Sequence, residues 1–99
     1  MLTDYIPRGA KKAIKAGDLL QLTNCDRREL RQEVRSLRLQ GVLICSDTQS
    51  DDSGRRAGYY LPETREDVMA TIKQMKSRES EIRRVRKALE RAMQKEYGE

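Results

Sequence analysis

A chain of 99 residues, 36% hydrophobic and 37% charged, with no Phe or Trp, has material for one thin core and too little to line a sizeable substrate pocket as well. The net charge of +5, from 21 basic and 16 acidic side chains, favours a polyanionic partner, because Lys and Arg attract phosphates and release their counterions. Two cysteines, Cys25 and Cys45, and no histidine are too few ligands for a structural zinc, so no metal or cofactor is expected. The thiols read as reduced, in a reducing compartment. No apolar run approaches the ~20 residues of a membrane span. The N-terminus also lacks the charged-then-apolar form of a secretion signal, and the expectation is a soluble, cytoplasmic protein.

The charge is uneven. Residues 1–45 hold nine basic and five acidic side chains, residues 46–63 two and four, and residues 64–99 ten and seven, so both ends are basic and the middle is acidic. Three pairs carry a helix-start signature, Asp18 with Gln21, Asp26 with Glu29 and Thr64 with Asp67. In each, a short polar side chain can accept from a free backbone N–H while the second reaches back.

Before the first pair, Pro7 suits a first helical turn and Gly17 a stop, which predicts a short helix with Ala10, Ala13 and Ile14 inward. A brief second helix follows, Asp18 to Leu22, offering Leu19, Leu20 and Leu22 to the core. Thr23-Asn24-Cys25 turns the chain into a third helix, Asp26 to Gln40, where Leu30, Val34 and Leu37 share one face and Gly41 ends the run.

The period then changes. Val42 to Cys45 is apolar and β-branched and predicts a short strand. Ser46 to Ala57 (SDTQSDDSGRRA) is a long polar loop, and Gly58 to Leu61 a returning strand with Tyr59 and Leu61 on one face. One of Tyr59 and Tyr60 should be a core ring and the other a surface ring. Pro62 closes the strand. From Thr64 to Gly98 no Gly or Pro interrupts a segment rich in Ala, Glu, Lys, Arg, Met and Gln, which predicts one helix of about 34 residues.

The order of helix, helix, short turn, helix, strand, polar loop, strand resembles the winged helix-turn-helix fold. The run DRRELRQEVRSLRLQGVLI followed by GYYLPE is similar to the pattern in the N-terminal domain of the biotin operon repressor and in small bacterial and phage regulators. Leu37-Arg38-x-x-Gly41 and Gly58-Tyr59-x-Leu61 carry the likeness, which covers Gly17 to Glu63, about half the chain. It implies a mainly α fold with a small β-hairpin, in which residues 1–63 form a winged-helix DNA-binding domain. Residues 64–99 form a long C-terminal helix and oligomerisation element outside the resemblance.

The resemblance implies that the N-terminal part of the third helix enters the major groove. Arg27, Arg28, Arg31 and Gln32 are then candidates to read bases, since Arg can grip guanine and Gln adenine through paired hydrogen bonds. Arg35 and Arg38, deeper along the helix, would touch phosphate or pair with acids. Glu29 and Glu33 offer the plainer alternative, ordinary ion pairs along a solvated face. Arg55 and Arg56 would reach phosphate or minor groove from the wing, or be balanced by Asp51 and Asp52. Lys11, Lys12 and Lys15 could touch backbone phosphate, but a purely solvated face is the reading favoured for them.

In the last helix Val68, Ile72, Met75, Glu79, Ile82, Arg86, Leu89, Met93 and Glu96 form a heptad-like series. Its opening should pack on the core. Ile82, Val85, Leu89 and Met93 lie beyond the reach of so small a domain, and self-association into a homodimer would cover them; a solitary projecting helix or a different protein partner is the alternative. No phosphate-cradling Gly loop, paired carboxylates or activated nucleophile suggests an enzyme. The function expected is sequence-specific binding of double-stranded DNA, as a bacterial or phage transcriptional regulator. The alternative is a protein-interaction or assembly module, an accessory to phage replication or packaging, that uses the long helix.

Overall fold

A computed structural model describes residues 2–48 and 57–98. In chain order they form two single 3-10 turns, Leu2–Tyr5 and Ala10–Lys12, then helix α1 (Ala16–Thr23), helix α2 (Arg27–Leu39), strand β1 (Cys45–Asp47), strand β2 (Gly58–Tyr60) and helix α3 (Arg65–Tyr97). The molecule is mainly helical, with a small two-stranded antiparallel sheet and a long C-terminal helix. Cys45 stands opposite Tyr60, Ser46 opposite Tyr59 and Asp47 opposite Gly58.

Two of the three expected helix starts are realised. The Asp26 side chain accepts from the backbone N–H of Glu29 at 2.8 Å, and Thr64 and Asp67 form a reciprocal capping box at the start of α3. Asn24 at the end of α1 takes the left-handed conformation (φ 55°) and donates its N–H to the Leu20 carbonyl, which lets α2 begin three residues later. Leu30, Val34 and Leu37 of α2 pack with Leu19 of α1, with Leu2 and Ile6 of the N-terminal segment, and with Ile44. A second cluster, Ala10, Ala13, Cys45 and Tyr60 with Val68 of α3, lies apart from the first. Neighbouring residues of β2 serve the two clusters because side chains alternate along a strand. Tyr60 is fully buried in the second, while Tyr59 and Leu61 pack half-buried against the first.

The N-terminal expectation is corrected. Pro7 does not open a helix, and Ala10–Lys12 makes only one 3-10 turn. The chain is drawn instead into the free edge of β2. Ile14 exchanges two backbone hydrogen bonds with Tyr59 (2.9 and 2.8 Å), while Pro7 and Gly9 bond Leu61. These pairings hold residues that a helix would have needed for its own ladder. Gly17 is therefore no stop; it lies in the first turn of α1, which starts two residues ahead of Asp18 with Lys15 as its cap and no side-chain cap bond. Leu22 of that helix is exposed.

Val42 to Ile44 is not strand either. The N–H of Val42 bonds the Leu37 carbonyl and that of Ile44 bonds Val42, so these residues still belong to the turn that leaves α2 through Gly41 (φ 93°). Pairing begins at Cys45 and takes in Ser46 and Asp47, which the polar composition had assigned to the loop.

The first turns of α3 hold the helix to this body. Thr71 is buried, and its hydroxyl accepts the Ser46 N–H at 3.2 Å; Gln74 donates to the Asp47 carboxylate. From Met75 onward every described side chain is exposed. At about 1.5 Å per residue, this helix runs most of the molecule's 56 Å length. Among the described residues, no helix is long and apolar enough to cross a membrane.

Candidate nucleic-acid interface

With its apolar stripe buried, α2 presents the opposite face to solvent. Arg27, Arg28, Arg31, Gln32 and Arg35 are all exposed there, as the spacing predicts. Among the described residues, no ion pair joins these arginines to Glu29 or Glu33, so the guanidinium groups are not held against those carboxylates. The cap has a further consequence. Hydrogen bonding from the Glu29 backbone holds the Asp26 carboxyl below its ordinary pKa, so the positive end of the α2 dipole is already occupied by a carboxylate. An incoming polyanion would meet the arginine side chains of this helix rather than its free N–H groups.

Arg38 stands apart from that set and corrects the expectation of a phosphate contact or acidic partner. It is half-buried, with Nε donating to the Ile44 carbonyl at 2.8 Å and Nη2 to the Ser46 hydroxyl at 3.3 Å. Burial pushes its pKa down, against the raising influence of Tyr59 and Cys45. Arg38 braces the passage from α2 into β1. The Leu37-Arg38-x-x-Gly41 stretch is thus a structural joint: Leu37 fills the core, Arg38 satisfies the outgoing backbone, and Gly41 supplies the positive φ.

Arg55 and Arg56, with Asp51 and Asp52, lie outside the described residues. Lys11, Lys12 and Lys15 are exposed. Cys25 and Cys45 are not joined in a disulfide; the first is half-buried beside the Thr23 hydroxyl and the second is buried. Among the described residues, no group of three or more His, Cys, Asp or Glu side chains could hold a metal ion.

On the distal half of α3, Ile82, Val85, Leu89 and Met93 line one shallow apolar groove, flanked by Glu81, Arg86 and Glu90. Their exposures, 68, 52, 66 and 56%, are those of side chains with nothing packed on them. Thr71 and Gln74, which anchor the helix, had no signal in the hydrophobic pattern because both are polar and act through hydrogen bonds to β1. Their spacing of three, in line with Val68, was the available clue. Comparison with protein families, with curated proteins and with solved structures finds no match for this chain.

Proposed function

We propose that the chain is a winged-helix protein that binds double-stranded DNA in a sequence-specific way, with α2 as the recognition helix in the major groove, and that it serves as a transcriptional regulator. The observation that carries this reading is the outer face of α2, with four arginines and a glutamine exposed on one short helix and unpaired with the acids beside them. The bridge from Ile14 to the far side of β2 supports the winged-helix reading, because it gives the hairpin a third strand-like partner next to the helices. Two copies would meet through the distal half of α3. A second reading, an assembly module, draws on the exposed groove from Ile82 to Met93.

Titration of a labelled duplex of random sequence tests the first reading. Binding should weaken steeply as salt rises from about 50 to 200 mM, because each phosphate contact releases counterions. Arg28→Ala and Arg31→Ala should each lower affinity for the preferred sequence roughly five- to hundredfold, as the loss of a base-reading contact does. A folded protein that binds no duplex at low salt overturns this reading and leaves the assembly module standing.

A further inference from the structure

We propose that α3 pairs with α3 of a second copy in antiparallel orientation, with the axis of symmetry at Lys87. This deepens the homodimer proposed above and rests on it, but it does not depend on DNA binding.

Two rows of side chains run along α3 at seven-residue spacing, Val68, Met75, Ile82, Leu89 and Glu96 in one, and Thr71, Arg78, Val85 and Ala92 in the other. Val68 and Thr71, at the start of the rows, lie against the body of the molecule. The exposed apolar side chains farther along continue the same face. In a parallel pair, both bodies would have to fit between the two helices at the same level, and the distal rows could not close. In an antiparallel pair, each body lies beyond the end of its partner's helix, and residues from Arg78 to Glu96 can meet.

Arg78 and Glu96 are the two charged interruptions of the distal rows, and among the described residues neither makes an ion pair. Antiparallel pairing about Lys87 sets Ile82 opposite Ala92, Val85 opposite Leu89, and Arg78 opposite Glu96 of the second copy. Parallel pairing would set Arg78 against Arg78 and Glu96 against Glu96, which is unfavourable. At the margins of the seam, Glu81 meets Lys95 and the small Ala88 meets its own copy, which permits close approach. The one like-charged meeting, Arg86 with Arg86, is offset within each chain by Glu90, 2.6 Å away.

The native protein supplies the first test. Glu81 and Lys95 are about 21 Å apart along one helix at ~1.5 Å per residue, too far for a zero-length bond within a chain or in a parallel pair. Carbodiimide treatment should give a Glu81–Lys95 amide, with loss of water, in a band of twice the monomer mass. The second test is charge reversal, read by sedimentation equilibrium. Arg78→Glu and Glu96→Arg should each weaken the dimer about tenfold, since two contacts per dimer turn repulsive, and the double variant should regain the parent's affinity. Both positions are exposed; Arg78 also lies near Asp47 and Arg38 of the body, so helix content and thermal midpoint are compared with the parent's before the affinities are. A stable dimer with neither the Glu81–Lys95 amide nor rescue by the double variant overturns the antiparallel arrangement and leaves the homodimer intact. An intact chain that stays monomeric at high concentration overturns both.

Discussion

Gly58 shows how one position can decide the fold. Its φ of +130° is one that side chains resist, and a Cβ there would lie 2.2 Å from the Ile14 carbonyl oxygen. Because backbone rather than a flexible side chain blocks the space, nothing nearby can move aside cheaply. Gly58→Ala should therefore cost more than about 3 kcal/mol and be visible as a large fall in the thermal midpoint. Arg38 is decisive in another way. Arg38→Ala leaves the buried Ile44 carbonyl without its donor and should destabilise by about 1–3 kcal/mol, while duplex affinity, measured where the variant is folded, stays near the parent's. Arg31→Ala should do the reverse. Asp26 adds a pH signature. Its carboxyl has a lowered pKa in the folded state, so its contribution is present above the unfolded carboxylate range and fades as pH falls through the folded value. Asp26→Ala should melt below the parent at neutral pH, and the gap should narrow below about pH 4.

Among the elements, α2 was the most legible in the sequence, since its apolar period, its Asp26 cap and its Gly41 stop all agree, and its outward arginines follow from the same periodicity. The N-terminal segment was not legible. Pro7, Ala10, Ala13 and Gly17 carry the local marks of a helix, but the bonds that place them run to Tyr59 and Leu61, more than forty residues away. No local pattern records such a pairing. The β1 boundary was missed for a related reason, because Ser46 and Asp47 are polar strand residues whose place is fixed by Thr71 and Gln74 of α3. For α3 the cap and length were readable, and so was the lack of any cover beyond Arg78. A carboxylate at Leu89 should open the proposed seam, because a charge would be buried among apolar side chains. In sedimentation Leu89→Glu should run as a monomer, with helix content and thermal unfolding of the body unchanged. If it sediments as the parent does, the distal half of α3 is not where copies meet.

At the scale of the whole molecule, the length of α3 turns the orientation of the proposed pair into a measurable dimension. A single chain is 56 Å long and 31 by 25 Å across. An antiparallel pair overlaps only from Arg78 to Glu96, about 28 Å of helix at ~1.5 Å per residue, so its longest dimension should be roughly 85 Å. Side-by-side packing of parallel copies would keep the length close to that of one chain and increase only the width. X-ray scattering distinguishes the two, since the pair-distance distribution of a long dimer with a body at each end carries a second, distant peak that a parallel pair lacks. That peak should disappear in Leu89→Glu, whose profile should match one 56 Å molecule. A concentrated parent sample that scatters as a particle of twice the mass but about 60 Å long at the same ~1.5 Å rise would rule out the antiparallel pair, whatever the molecule does with DNA.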